Sequence, residues 1–151
     1  MRRCLIVANQ TLTTDSLVEA VQERIAAGPH EFYIVAPATP LKDQVDGPGA
    51  YEHLGPSPAD RAYALACQRL AHALEHLRAL GATVEGEVGD ADALQAVRVV
   101  LGHVGADEIV VSTLPRGLSP WLRRDLPARL RRATGVPVTH LAVDRHAGTP
   151  A

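Results

Sequence analysis

Short continuous apolar runs alternate along this chain with longer segments in which apolar residues recur every three or four positions. Continuous runs are typical of strands that are buried on both faces of a sheet, and the longer period is typical of amphipathic helices. Five of the runs are predicted to be strands, over residues 4–8, 32–36, 83–88, 109–112 and 136–143. The run 83–88 is more polar than the others, so we expect it towards an edge of the sheet.

The periodic segments predict helices that begin at capping residues. Ser16 and Glu19 have the spacing of a capping box, and the first helix ends at Gly28. Ser57 and Pro58 begin a second helix that reaches about Leu80. Two further helices are predicted, one over 91–104 with Asp90 as its cap, and one that follows Asp125 and leads into the last strand.

Strands and helices therefore alternate from one end of the sequence to the other. Such alternation predicts an open, doubly wound α/β fold, with a parallel sheet, right-handed crossovers and helices on both faces. We expect one domain over residues 1–144 and a short flexible tail over 145–151. The segment 37–57 is rich in proline and glycine, which predicts a long loop of the kind that often serves function.

Composition narrows the classes of function. The chain has 151 residues, a formal net charge of -2 and only 3% aromatic residues, which disfavours nucleic acid as a partner. No apolar run has the length of a signal peptide or a membrane span, so the sequence predicts a cytoplasmic protein without a membrane partner. Cys4 and Cys67 lack metal-ligand spacing and are expected to be small buried side chains.

Most other candidate sites have a structural explanation that is stronger than the functional one. His72 and His76 have a chelating spacing but no third ligand nearby, so no metal site is predicted. His140 is expected to be structural or at an interface, and Trp121 to pack in a turn, with ligand stacking as its alternative. No serine lies in a nucleophile elbow, and no catalytic residue is predicted.

Arginines cluster over residues 116–132. Six of the fifteen Lys and Arg residues lie there, namely Arg116, Arg123, Arg124, Arg129, Arg131 and Arg132. They form either a solvated helix face or a site for an anion.

Several motifs occur in an order that is known from one family. They are an apolar first strand ending at Asn9, the sequence EVGD over 87–90, GADEIVVST over 105–113, and GLS over 117–119 followed by Arg129 and by VPV over 136–138. Together they resemble the universal stress protein family over nearly the whole chain. The resemblance implies strand order 3-2-1-4-5 and a nucleotide cleft between the first and fourth strands.

The chain departs from the ATP-binding members of that family where their glycines approach the phosphates. Pro115 stands at the first glycine position and has no N–H to donate, and Arg124-Asp125 replaces Gly-Ser. Asn9 replaces the aspartate of the first strand. Either the ATP cradle is absent, or Arg116, Arg123 and Arg124 replace it as anion donors, with Asp125 capping its own helix.

The expected function is therefore a binding or regulatory module of the universal stress protein type that does not bind ATP in the family's usual way. The alternatives are a nucleotide-binding protein or weak nucleotide hydrolase with an arginine-lined site, and a protein-interaction domain that regulates a transporter or kinase. The cofactor stays open between ATP, another nucleotide and a different small anion.

A homodimer through the last strand is expected, since the family often pairs that strand. The expected ligand-binding residues are Asn9, Gln10, Thr11, Ala36, Pro37, Ser112, Thr113, Arg116, Gly117, Ser119, Arg123, Arg124 and Asp125.

Overall fold

In the part of the chain that the computed structural model describes, nine elements of secondary structure alternate between strand and helix. The structure describes residues 1–12, 14–39, 57–114, 121 and 125–142. In chain order the elements are β1 (Arg2–Val7), α1 (Asp15–Ala27), β2 (His30–Pro37), α2 (Pro58–Ala79), β3 (Val84–Gly89), α3 (Ala93–Leu101), β4 (Glu108–Thr113), α4 (Leu126–Thr134) and β5 (Val138–Ala142).

The five strands form one parallel sheet in the order β3-β2-β1-β4-β5, as predicted. β1 lies at its centre, with Val7 level with Val35 of β2 and Val111 of β4. The carboxyl ends of these three strands therefore meet at one edge, which we call the carboxyl edge. The polar strand β3 lies at the side of the sheet, which confirms the expectation from its sequence.

Both faces of β1 are buried, which explains its continuous apolar sequence. Cys4 and Ile6 pack in one layer with α1 and α2, which contribute residues such as Leu17 and Leu70. Leu5 and Val7 pack in the opposite layer with apolar residues of α3 and α4. Each layer removes a set of aliphatic side chains from water, which is the main favourable contribution to folding.

The predicted caps of α1 and α3 are wrong. Ser16 lies inside α1, whose N-cap is Thr14. The Thr14 side chain makes no capping bond, and its hydroxyl donates to the Thr11 carbonyl oxygen across 2.7 Å. Asp92, not Asp90, caps α3, and it accepts the backbone N–H groups of Leu94 and Gln95.

A half-buried ion pair ties α1 to β4. The Arg24 guanidinium donates from Nε and Nη2 to the two carboxylate oxygens of Glu108, across 2.9 and 3.0 Å. The hydrogen bond from Arg24 outweighs the partial burial and holds the pKa of the Glu108 carboxyl below its ordinary value. The Cys4 thiol lies beside this pair. Its burial, and to a smaller extent the nearby Glu108 carboxylate, raise the pKa of the thiol to about 12. The thiol therefore stays protonated, which agrees with the small core residue expected from the sequence.

Candidate functional site

Four polar side chains are buried in the part of the chain that the structure describes, and all four lie at the carboxyl edge. Asn9 and Thr11 follow β1, and Ser112 and Thr113 end β4, each with 2% or less of its surface exposed. β1 and β4 are neighbours in the sheet, although β2 and β3 separate them in sequence. The strands run from β1 to β2 and β3 on one side and to β4 and β5 on the other, so the strand order reverses between β1 and β4. Ligands bind at such a reversal point in open α/β sheets. We call these four residues the polar cluster.

Asn9 connects three elements through its carboxamide. Its Nδ2 atom donates to the carbonyl oxygen of Pro37 at the end of β2, across 2.8 Å. Its Oδ1 atom accepts a hydrogen bond from Nη1 of Arg69 on α2, across 2.7 Å. An aspartate in this position would lack the donor for Pro37, so the amide is suited to this arrangement.

The hydroxyls of Thr11 and Ser112 join the loop after β1 to the end of β4. The two oxygen atoms are 2.6 Å apart, and Thr11 Oγ1 also lies 3.2 Å from the Ser112 carbonyl oxygen. Thr113, the next residue, has its hydroxyl 2.8 Å from Nε2 of His140 on β5. His140 thus has a structural contact, as the sequence analysis expected.

Arg69 brings a positive charge to the polar cluster, and the sequence analysis did not propose it as a site residue. It is half-buried on α2 and lies next to Leu70, which belongs to the buried stripe of that helix. The contact with Asn9 spans 60 residues of sequence. A helical period places Arg69 at the border of the buried face, but nothing in that period indicates which strand end the guanidinium reaches.

On the opposite face of the sheet, Trp121 reaches the segment after β2. Its indole is 9% exposed and packs with the α3 and α4 layer, in agreement with the expected packing role. Nε1 donates to the Thr39 hydroxyl across 3.3 Å, and that hydroxyl donates to the carbonyl oxygen of Ala91 across 2.6 Å. The chain segments that follow β2, β3 and β4 are therefore connected at the carboxyl edge.

The remaining predicted site residues fall into two groups. Ala36 and Pro37 are buried at the end of β2, and Gln10 is half-buried beside Asn9. Arg116, Gly117, Ser119, Arg123 and Arg124 lie outside the described residues, as do most of the predicted loop 37–57 and the tail 145–151.

The expected capping by Asp125 is wrong. Asp125 occupies the N-cap position of α4, but its side chain makes no capping hydrogen bond. Its backbone is left-handed, with φ 52° and ψ 51°, whereas capping residues normally adopt an extended conformation from which the side chain reaches the first turn. The exposed carboxylate therefore adds negative charge to the carboxyl edge without binding the backbone of its own helix.

A cavity of about 490 Å³ lies at the other end of the sheet, away from the polar cluster. Arg3, Tyr33, Arg78, Glu85 and His103 are among the residues that line it. Several of its charged groups have partners within the protein. Arg3 pairs with Glu31, and Glu87 Oε1 accepts from the Tyr33 hydroxyl and contacts His103 Nε2, across 2.8 and 2.7 Å. Burial and this bond to Glu87 raise the pKa of Tyr33 to about 12.

Within the described ranges, no group of three or more His, Cys, Asp or Glu side chains is placed to hold a metal ion. The His72 and His76 rings stack with their centroids 6.4 Å apart on α2. No described helix is both long and apolar enough to cross a membrane.

Comparisons with known proteins show which known fold this architecture matches. No family model matches the chain, and no curated protein is similar to it in sequence. Solved structures do match. A universal stress protein family member from Burkholderia pseudomallei has a TM-score of 0.61 at 16% identity, with 93% of this chain and 96% of that one covered.

Two further matches were solved with nucleotides. A universal stress protein family member from Arabidopsis thaliana, with AMP bound, has a TM-score of 0.61 at 14% identity and covers 100% of this chain and 97% of its own. A universal stress protein in complex with cAMP has a TM-score of 0.57 at 19% identity, with 93% and 96% covered. The chain therefore has the universal stress protein fold, as its motifs suggested.

Proposed function

We propose that this chain is a binding module of the universal stress protein type, built as one domain over residues 1–144, whose ligand is a small anion such as a mononucleotide. The polar cluster is the observation that carries the proposal. Buried polar groups cost free energy unless they are paired, and they are absent from the rest of the described core. Their position at the reversal point of the sheet coincides with the general location of ligand sites in this class of fold.

Arg69 supports an anionic ligand. Its guanidinium is a positive group in contact with the polar cluster, and guanidinium matches the geometry of phosphate and carboxylate oxygens. The structural neighbours with AMP and with cAMP make a mononucleotide the first ligand to test.

A binding role is favoured over catalysis by the chemistry of the polar cluster. Its members are an amide and three hydroxyls, none of which is a base, and the Arg69 guanidinium and the His140 imidazole contact them. Hydrolysis of a nucleotide needs an activated water or a metal held near the phosphates. We therefore propose that the module senses or stores its ligand and leaves it chemically unchanged.

Calorimetric titration with AMP tests this proposal. We expect wild-type protein to bind AMP, and the Arg69→Gln variant to bind it about tenfold more weakly, because one charge-assisted hydrogen bond is lost. Glutamine still has an N–H group to offer Asn9, so the fold is retained.

Arg98→Gln is the matched control, since Arg98 is exposed in the last turn of α3, at the other end of the sheet. If AMP, cAMP and adenosine all fail to bind at millimolar concentration, the proposed function is wrong.

We also propose that the module forms a homodimer through β5. Among the described strands, β5 is the last in the sheet and pairs only with β4. The N–H of Ile109 donates to the Pro137 carbonyl oxygen, and backbone groups alternate in direction along a strand. The N–H groups of Val138 and His140 consequently point away from β4, on the side where a second copy can pair.

Two substitutions at one position separate pairing from side-chain effects. His140→Pro and His140→Ala both remove the imidazole and its contact with Thr113, but only proline also removes the outward N–H. Sedimentation should show wild type and His140→Ala as dimers and His140→Pro as a monomer. A dimeric proline variant, or a monomeric wild type, would exclude pairing through this strand.

A further inference from the structure

A pair of exposed histidines lies on α2, outside the polar cluster. His72 and His76 are four residues apart, which is about 6 Å along the axis of an α-helix. Side chains with this spacing lie on the same face of a helix. The two imidazole rings accordingly stack, with their centroids 6.4 Å apart and an angle of 5° between their planes. Two imidazoles are thus held side by side at the surface.

The ring nitrogens of this pair differ from those of the other histidines that the structure describes. His30, His103 and His140 each have a ring nitrogen within hydrogen-bond distance of a protein oxygen, at 3.0, 2.7 and 2.8 Å. Within the described part of the chain, the ring nitrogens of His72 and His76 have no hydrogen-bond or ion-pair partner. Their lone pairs are therefore available to a ligand from solvent.

The helix keeps the two histidines in place. α2 spans 22 residues, and Ala73 and Leu77, each next in sequence to one of the histidines, are 2% exposed in the core layer beneath the helix. Their packing fixes which side of α2 faces the sheet, and both histidines are exposed on the other side. The spacing of the two imidazoles is therefore set before anything binds, which decreases the entropy cost of binding.

The charges on α2 are favourable for a cation at this pair. His76 lies in the last turn of the helix, where the backbone carbonyl groups carry partial negative charge. Glu75 is exposed and lies between the two histidines in sequence. The nearest arginines of the helix are bonded to other elements, since Arg69 donates to the polar cluster and Arg78 donates to a carbonyl oxygen at the start of β3.

Two adjacent imidazoles are suited to chelate a divalent transition metal. A metal–nitrogen distance of about 2.0 Å brings the two bound nitrogens to about 3 Å from each other. Exposed side chains change rotamer within about nanoseconds, so the rings can approach from their present separation. The sequence predicts no metal site because a third protein ligand is missing. In tetragonal coordination, however, Cu²⁺ and Ni²⁺ combine nitrogen with oxygen ligands, and water supplies the oxygen.

From these observations we infer that His72 and His76 form a surface site for a divalent transition-metal ion, and that it binds Cu²⁺ most tightly. Each imidazole contributes one nitrogen, and water fills the remaining positions. Cu²⁺ has the highest affinity among the divalent first-row metals for such ligands, whereas Mg²⁺ and Ca²⁺ prefer oxygen ligands. The inference goes beyond the proposed function and does not depend on it.

Calorimetric titration of the whole chain with CuCl₂, at pH 7.5 in a buffer that does not bind copper, tests the inference. We expect wild-type protein to bind one Cu²⁺ ion that the double variant His72→Gln/His76→Gln does not bind. Each single variant, His72→Gln or His76→Gln, should bind this ion at least about tenfold more weakly, because the second imidazole is no longer held at a high effective concentration. Electron paramagnetic resonance should show two nitrogen ligands in wild type and one in each single variant.

A relocated histidine separates chelation from histidine content. The variant Ala71→His/His76→Ala has as many histidines as wild type, but its residues 71 and 72 are adjacent, and adjacent residues of a helix do not face each other. Ala71 is exposed, so the new side chain needs no space in the core. We expect this variant to bind Cu²⁺ as weakly as His76→Gln does.

Three results would overturn the inference. If the relocated variant binds Cu²⁺ as tightly as wild type, histidine content rather than the pair is responsible. If the single variants match wild type, or if wild type binds no ion beyond those of the double variant, the two imidazoles do not share an ion. A spectrum with one nitrogen ligand in wild type would also exclude the chelate. The titration with AMP is a separate measurement, so failure of the proposed function and failure of this inference are distinguishable.

Discussion

Arg69 and Asn9 lie 60 residues apart in sequence, yet the guanidinium of the first donates to the carboxamide oxygen of the second across 2.7 Å. The contact fixes which way the amide faces, because Oδ1 points to Arg69 and Nδ2 to the Pro37 carbonyl oxygen. One neutral side chain thus satisfies a cation and a carbonyl oxygen at once, which a carboxylate cannot do.

Replacing Asn9 should therefore destabilise the protein even when the new residue is similar in size. Asn9→Asp keeps an acceptor for Arg69 but sets a carboxylate oxygen against the Pro37 carbonyl oxygen, and Asn9→Ala removes both bonds. We expect each to decrease the free energy of unfolding by about 1–3 kcal/mol, measured by urea denaturation. An Asn9→Asp variant as stable as wild type would show that the amide does not donate to Pro37.

The two hydroxyls of the Thr11–Ser112 pair should contribute unequally. Thr11→Val removes a hydroxyl that has two partners, the side chain and the carbonyl oxygen of Ser112, and should cost about 1–2 kcal/mol. Ser112→Ala should cost less, since Thr11 can still donate to the Ser112 carbonyl oxygen. Thermal unfolding of the two variants tests the order, and the reverse order would contradict this assignment of donors.

Close packing leaves no room for a methyl group at Gly89 on β3. A Cβ atom there would lie 2.8 Å from the Cβ of Ala96 and 3.0 Å from Cγ2 of Val35. Gly89→Ala should therefore destabilise the protein by about 1–3 kcal/mol through overpacking. Gly105→Ala is the control, because a Cβ at Gly105 meets nothing within 4 Å, and we expect a change within about 0.5 kcal/mol. Equal effects at the two positions would rule out packing as the cause.

Stability should depend on pH through Glu108. Its pKa in the folded protein is below the ordinary 4.5, mainly because Arg24 donates to it, so folding favours the ionised form. The resulting stabilisation is present above pH 4.5 and is lost as the pH falls through the lowered pKa. Glu108→Gln should cost about 2 kcal/mol at pH 7, and the difference from wild type should decrease in acid.

Denaturant titrations of both proteins at several pH values measure this difference. Glu75→Gln on the exposed face of α2 is the control, and we expect it to unfold like wild type at every pH. A difference between wild type and Glu108→Gln that is independent of pH would contradict the role given to the ion pair.

The strands could be predicted from sequence because both of their faces are buried. β1 is a continuous apolar run, and the alternate sides of that run contact different helix layers. The order of the strands was not contained in the periodicity. It came from the resemblance of the motifs near 105–113 and 117–138 to one family, and the sheet confirms it.

The composition of the candidate site was only partly predictable. Asn9, Thr11, Ser112 and Thr113 were identified because they end apolar strands, and these positions meet at one edge of a parallel sheet. Their partners could not be identified in the same way, since Thr11 and Ser112 are 101 residues apart. The left-handed backbone of Asp125 also has no signature in sequence, as aspartate only tolerates it.

The position of Trp121 gives this protein a built-in optical probe. It is the chain's single tryptophan, and its indole N–H contacts Thr39 in the segment that continues from Pro37, whose carbonyl oxygen is bonded to Asn9. Indole emission depends on the polarity and hydrogen bonding around the ring. Unlabelled protein can therefore report by its intrinsic fluorescence whether a ligand at β1 disturbs the neighbouring strand end, without any change to the sequence.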